Sequence, residues 1–214
     1  MAAHIRRLVV EGRYRPGERI RQDELAAELG VSRIPVREAI IGLEREGWVR
    51  VEPHRGAFVN GVDVDFVRDH FELHGAISGL TAERAVERAD DAHVAEVVAT
   101  AAALERVDPD DPDAFETATY DFVQALDRAA AAPRLSSITR VMHNLYPGNF
   151  FAEVPGAMET QRAAMTEIAD AIASRDADRA SAAFAELLRS HGEALTANFA
   201  ERGLFDAPPT SAAS

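Results

Sequence analysis

The spacing of apolar residues predicts three short helices in the first part of the chain. The first covers residues 2–11. The second follows Asp23 and the third follows Ser32, and either side chain can cap a helix N-terminus. A glycine ends each helix, as is common at helix C-termini; these are Gly12, Gly30 and Gly47. The chain therefore opens with one helix followed by a helix-turn-helix pair.

Beyond the third helix, the pattern changes to alternation with a period of two residues, which predicts strands. Residues 48–52 form one such run and residues 57–60 another, with a tight turn at residues 53–56 between them. Residues 14–20 contain a Pro-Gly pair and are predicted to form a turn. A helix, a helix-turn-helix pair and a β-hairpin, in this order, predict a winged helix-turn-helix.

From residue 63 onward, apolar residues recur every three or four positions without any strand pattern. They mark the predicted inward faces of six helices: Phe66, His70, Leu73, Ile77 and Leu80; Val94, Val97, Val98, Ala101 and Leu104; Phe115, Thr119, Phe122 and Leu126; Leu135, Ile138, Val141, Met142 and Leu145; Met158, Gln161, Met165, Ile168 and Ile172; Phe184, Leu187, Leu188, His191, Leu195 and Phe199. Residues 150–155 are predicted to be a connection. This order predicts an antiparallel helical bundle.

The predicted fold class is therefore mainly α, with two domains and a tail. We expect a winged helix-turn-helix domain at residues 1–61 and a helical effector-binding and dimerisation domain at residues 62–204. Residues 205–214 are rich in proline, serine and alanine, and are expected to be a disordered tail.

The net charge of −13 is divided unevenly along the chain. Residues 1–61 carry 11 Arg and 9 acidic residues, a net charge of +2, whereas residues 62–214 carry 12 Arg and 27 acidic residues, a net charge of −15. The arginines of the first part can thus meet phosphates while the acidic part stays away. The chain has no cysteine, no apolar run that could span a membrane and no signal-peptide core, so we expect a cytoplasmic protein without thiolate metal sites.

The N-terminal end of the third helix carries the side chains that we expect to read double-stranded DNA. Arg33 and Arg37 are four residues apart, so they share a helix face and can reach guanine edges or phosphates. The hairpin turn can touch the minor groove or the backbone, where a glycine permits close approach. The predicted DNA-binding residues are Ser32, Arg33, Ile34, Pro35, Arg37, His54, Arg55 and Gly56. The alternative is a solvated arginine face with ion pairs, for example to Glu38 or Glu44.

Residues 17–56 also resemble the GntR family of bacterial transcription regulators. The resemblance is carried above all by residues 29–33, 35–39 and 55–56. Family members commonly carry Thr where this chain has Ile34, so a hydroxyl contact to the operator is missing there. The resemblance implies a sequence-specific regulator, by family default a repressor, that binds a palindromic operator as a homodimer.

The helical part looks like the FCD effector domain of the FadR-type branch of this family. In many such domains an Asp and three His hold a divalent metal ion that binds a carboxylate ligand. Carried over position by position, those ligands fall at Thr119, Val123, Met165 and Leu187. None of these side chains is a credible ligand for such an ion, so we expect no metal cofactor there.

Three outcomes remain open for this interior. The pocket can have closed into ordinary core, it can hold a hydrophobic effector such as a fatty acid or acyl-CoA, or a metal site for an organic acid can have moved to other histidines, namely His70, His74, His143 and His191. Arg140 is the candidate for an anionic head group, with a surface ion pair as its alternative. The predicted effector-pocket residues are His74, Ser78, Thr119, Val123, Arg140, His143, Asn144, Met165, Leu187 and His191.

Two functions other than a ligand-responsive regulator have to be considered. An enzyme is not expected, because the segment Gly75–Gly79 lacks the nucleophile-elbow spacing and lies within a helix. The sequence also contains no phosphate loop, zinc signature or dinucleotide fingerprint. The other possibility is a DNA-binding protein whose helical domain only dimerises and binds no effector.

Overall fold

The computed structural model describes residues 1–143 and 148–205, which form two compact units. The first unit comprises Met1–Phe66 together with residues 199–205, and the second comprises Val67–Asn198. The predicted tail and the positions of Asn144 and Leu145 lie outside the described residues, except for Phe205. Within the described part, no helix combines the length and apolarity that crossing a membrane requires.

The first unit is a winged helix-turn-helix, as the sequence predicts. Its elements, in order, are α1 (Ala2–Val10), β1 (Arg19–Ile20), α2 (Gln22–Glu28), α3 (Arg33–Arg45), β2 (Val49–Glu52) and β3 (Gly56–Val59). The strands form an antiparallel sheet in the order β1-β3-β2, with Arg19 opposite Phe58 and Val51 opposite Ala57. The prediction of a plain turn over residues 14–20 was wrong at its end, because β1 exists only through its pairing with the distant β3.

The helix-turn-helix pair is held by its buried stripe and its turn. On α3 the buried residues are Val36, Ala39, Ile40 and Leu43, which include all those predicted. Gly30 has a φ of 63°, so it provides the left-handed conformation that ends α2. The predicted cap at Asp23 was wrong, because α2 begins at Gln22 and Asp23 lies inside its first turn. Ser32 occupies the N-cap position of α3, but its side chain makes no capping hydrogen bond.

The second unit is built from helices throughout its described residues. They are α4 (Val64–Arg88), α5 (Asp91–Glu105), α6 (Pro112–Ala130), α7 (Pro133–Met142), α8 (Phe150–Glu153), α9 (Ala157–Ala173) and α10 (Ala177–Glu201). The short α8 falls in the predicted connection and is capped by Asn149, whose side chain accepts hydrogen bonds from the N–H groups of Phe151 and Ala152. The predicted inward faces of α6, α9 and α10 are buried in full.

Three predicted inward faces were wrong in part, including that of α5, where Val98 is 38% exposed. On α4 the buried side chains include Val67, Phe71, His74 and Ser78, whereas Leu73 of the predicted face is 56% exposed. On α7 the buried residues are Ser136, Thr139 and Met142, and the apolar Ile138 and Val141 are exposed. In α4 and α7, the elements packed against the helix decide which face is buried.

The face of α4 is set by close packing against α10. A Cβ atom added at Gly79 would lie 2.8 Å from Ser181 Oγ and 3.0 Å from the Ser181 carbonyl oxygen. A Cβ atom at Gly192 would likewise lie 2.9 Å from the side chain of Phe71. Because glycine has no side chain, these positions allow the two helices to approach closely. With α4 packed in this orientation, His74 and Ser78 point into the interior.

Candidate nucleic-acid interface and interior histidine site

The start of α3 presents a polar and charged end to solvent. Ser32, Arg33, Ile34 and Arg37 are exposed and Pro35 is half-buried, while the stripe on the opposite side anchors the helix. The helix begins at Arg33, so both arginines lie within its first two turns. This is the part of the second helix of a helix-turn-helix that enters a DNA groove.

Arg33 and Arg37 differ in their side-chain interactions. Arg33 Nε lies 2.5 Å from Asp23 Oδ1 of α2, with both side chains largely exposed. Such an exposed surface pair contributes little stability. Arg37 makes no ion pair or hydrogen bond within the described residues. The alternative of an arginine face with local ion pairs thus applies to Arg33, whose partner is Asp23, and not to Arg37. Glu44, one of the example partners, instead accepts a hydrogen bond from the Val51 N–H.

The hairpin between β2 and β3 forms a wing with a defined tip. His54 and Gly56 have φ values of 63° and 105°, so the tip turns sharply. Arg55 forms an ion pair with Glu52, and its guanidinium lies 5.6 Å from the centre of the Phe58 ring. Gly56 also makes room for Arg19, whose Nε would lie 3.0 Å from a Cβ at this position.

The interior of the second unit holds polar atoms without partners. His74 and His191 are each only 5% exposed, and the Nε2 atom of each is buried without a hydrogen-bond partner. The hydroxyl oxygens of Ser78 and Thr119 are buried and unpartnered as well. Buried polar groups normally find partners, because desolvation without a hydrogen bond is costly. His4 Nε2 of the first unit is also buried without a partner, but four such atoms occur in the second unit, which makes its interior a candidate ligand site.

The histidines lie in contact with one another at one end of this interior. The ring centres of His74 and His143 are 4.8 Å apart, and those of His70 and His74 are 6.0 Å apart. His70 Nε2 donates to the Met142 carbonyl at 3.0 Å, and His143 Nδ1 donates to the Thr139 carbonyl at 2.9 Å. The rings of His70 and His143 are thus hydrogen-bonded to the backbone, and the His74 ring lies between them.

His191 lies among aromatic rings that are absent from the predicted set of pocket residues. Its ring centre is 4.8 Å from that of Phe150 and 6.4 Å from that of Phe151. Phe151 in turn lies 4.9 Å from Phe115, which is one helical turn before Thr119. The sequence pattern predicts only a connection over residues 150–155, so it does not indicate that Phe150 and Phe151 reach this interior. The Phe-Phe sequence was the only local signal of this aromatic pair.

Burial favours the neutral form of His70, His74 and His191. The pKa of His74 is held well below its ordinary value, first by desolvation and then by the nearby His143, His70 and His191. Burial lowers the pKa of His191 to about 4, against a smaller opposing effect of a hydrogen bond to the Ala157 backbone. Burial also lowers the pKa of His70. Near neutral pH the interior therefore offers uncharged nitrogen donors and acceptors.

The positions expected to hold a metal in related domains do not fit one here. Thr119, Met165 and Leu187 are buried and Val123 is half-buried, and together they offer one hydroxyl, one thioether and two aliphatic side chains. Among residues 1–143 and 148–205, no three His, Asp or Glu side chains are grouped so as to hold a metal ion. The geometry gives no support to the alternative of a relocated metal site.

Two other predicted pocket residues are not buried. Arg140 is exposed on α7, where it has interactions of its own, and His143 is exposed at the helix end although its ring touches His74. Asn144 lies outside the described residues. The buried members of the predicted set are His74, Ser78, Thr119, Met165, Leu187 and His191.

Comparison with known proteins accounts for both units. Residues 1–59 match the model of the gntR family of bacterial regulatory proteins, and residues 69–190 match the FCD domain. An uncharacterised HTH-type transcriptional regulator of Mycobacterium tuberculosis is 32% identical over 151 residues, which are 71% of this chain and 61% of that protein. The Nta operon transcriptional regulator of Aminobacter aminovorans is 36% identical over 88 residues, covering 41% of this chain and 42% of that regulator.

A likeness of fold extends over nearly the whole chain. The solved structure of E. coli McbR/YncC superposes with a TM-score of 0.61 at 19% identity, covering 94% of this chain and 95% of that one. The two sequence relatives are described as regulators rather than enzymes, which agrees with the expectation that this chain is not an enzyme. From the two matched models, the chain belongs to the gntR family of bacterial regulatory proteins, in the branch with an FCD domain.

Proposed function

We propose that the protein is a DNA-binding transcription regulator, with repression as its output, and that a small molecule bound in the helical unit controls it. The observation that carries the DNA-binding part is the exposed start of α3, where Arg33 and Arg37 both reach solvent and Arg37 has no partner among the described residues. The excess of arginine in residues 1–61 supports attraction to phosphates.

A test of this part begins with selection of a bound duplex from random DNA by the full-length protein. Arg37→Ala is then expected to weaken binding to that duplex by roughly 5- to 150-fold per half-site, since a bidentate arginine–guanine contact is worth about 1–3 kcal/mol. Arg45→Ala, which removes the same charge at the other end of α3, is the matched control and should have a much smaller effect. Equal affinity of wild type and Arg37→Ala would contradict the assigned role.

For the control of binding, we propose an amphipathic effector in the interior of the second unit. The unpartnered Nε2 atoms of His74 and His191 and the hydroxyl of Ser78 support a ligand that brings polar atoms to them. The buried Met165 and Leu187 support apolar contacts with the rest of it. A fatty acid or acyl-CoA satisfies both requirements, whereas a fully apolar compound would leave the polar atoms without partners.

A thermal-shift screen with fatty acids, acyl-CoAs, organic acids and divalent metal ions tests this proposal, because a ligand that binds only the folded state raises Tm. Leu187→Asp places a charge in the site and should abolish the shift, but it also endangers folding. Ser78→Ala is therefore the milder variant, and Ser137→Ala on the exposed side of α7 is its control. If no compound shifts Tm, the helical unit serves only assembly, and the effector proposal fails.

We further propose that the regulator acts as a homodimer. The exposed apolar side chains Leu73, Ile138 and Val141 support a contact between second units. The hydrogen bond from His70 to the Met142 carbonyl brings this part of α4 close to the end of α7. A twofold assembly would offer two copies of α3 to a palindromic operator.

A further inference from the structure

An apolar side chain occupies the centre of the solvent face of α3. Ile34 is 68% exposed, the highest value among the large apolar residues described as exposed. With 3.6 residues per turn, Ile34 lies roughly 170° around the helix from the centre of the buried stripe. That stripe consists of Val36, Ala39, Ile40 and Leu43. Ile34 therefore takes no part in the core of its own unit.

Charged residues next to Ile34 indicate what this face meets. Arg33 precedes it, and Arg37 follows one turn later on an adjoining part of the surface. A second protein with an apolar surface would have to desolvate both guanidinium groups, and Arg37 has no partner among the described residues. Nucleic acid instead supplies acceptors for both arginines. The surroundings of Ile34 thus favour a duplex over a protein partner.

The major groove offers one distinct apolar group at its base edges, the C5-methyl group of thymine. Resting on the proposed DNA-binding function, we propose that Ile34 is a specificity-determining residue that contacts a thymine methyl group in each half-site. A β-branched aliphatic side chain can cover that methyl and exclude water, but it can make no hydrogen bond to a base. The operator therefore carries a T·A pair at the position that Ile34 faces.

The test uses the duplex selected by the full-length protein. Each thymine of a half-site is replaced in turn by deoxyuridine, which lacks only the methyl group, together with its symmetry mate. Fluorescence anisotropy then gives the affinities of wild type, Ile34→Ala, Ile34→Val and Ile41→Ala. Ile41 is the matched control, because it is also an exposed isoleucine but lies about two turns further along α3.

We expect one thymine position at which deoxyuridine weakens wild-type binding roughly fourfold per half-site, the worth of one buried methyl group. Ile34→Ala should remove this sensitivity, while Ile34→Val and Ile41→Ala should keep it. Equal sensitivity of wild type and Ile34→Ala at every thymine would overturn the inference and leave DNA binding intact. If selection yields no duplex, both the proposed function and this inference fail.

Discussion

The two deeply buried histidines should make the stability of the second unit depend on pH. His191 has an ordinary pKa of 6.5 and a folded-state pKa of about 4, because burial disfavours its charged form. Between these values the unfolded chain binds more protons than the folded one. Stability therefore falls as pH drops below 6.5, and the loss is complete below about pH 4.

The size of the effect follows from the same two pKa values. At about pH 5 the unfolded imidazole is almost fully protonated and the folded one is almost fully neutral, so His191 alone should lower the free energy of unfolding by about 2 kcal/mol relative to about pH 7.5. His74 acts in the same direction, since its pKa is also lowered by burial and by its histidine neighbours. Protonation of the many carboxylates adds a further change in the free energy of unfolding as the pH falls.

Urea unfolding followed by far-UV circular dichroism, at one protein concentration and both pH values, measures this loss. His191→Gln cannot titrate, so its loss between the two pH values should be about 2 kcal/mol smaller than that of wild type. Because the measured quantity is the change in the free energy of unfolding between the two pH values, a destabilisation that is equal at both values cancels. His54→Asn is the control, because His54 is exposed at the wing tip and Asn tolerates its positive φ. An equal loss in wild type and His191→Gln would refute the reasoning.

Two further predictions concern packing and assembly. Gly79→Ala should destabilise the protein by about 1–3 kcal/mol, because the new methyl group lies 3.0 Å from the Ser181 carbonyl oxygen. At Gly42 on α3 a methyl group has nothing within 4 Å, so Gly42→Ala should stabilise the protein by about 0.5–1 kcal/mol. Urea unfolding checks both, and a stable Gly79→Ala would show that the helices can separate at no cost. Val141→Glu should convert the proposed homodimer into a monomer in light scattering, with Tyr120→Glu on α6 as an exposed control; an unchanged mass would place the interface elsewhere.

The sequence alone predicted the three helices and the β-hairpin of the first unit, because their signals are local. A glycine that ends a helix, a stripe such as Ile40 and Leu43, and the alternation of a hairpin each depend on residues a few positions apart. The faces of α6, α9 and α10 were confirmed for the same reason. Each has most of its large apolar residues on one side, so one face was clearly preferred for burial; Tyr120 of α6 is an exception and is exposed.

Where local signals were ambiguous, tertiary contacts decided. The α4 helix has apolar residues on several sides, and the glycine contacts with α10, not its hydrophobicity, turned Leu73 outward and His74 inward. Strand β1 needs its partner β3, and the pairing of Asp23 with Arg33 needs the turn between two helices. No sequence pattern indicates that the Nε2 atoms of His74 and His191 lack partners. A hydrogen bond depends on atoms that folding brings together from distant parts of the chain, so only the tertiary structure could identify the interior site.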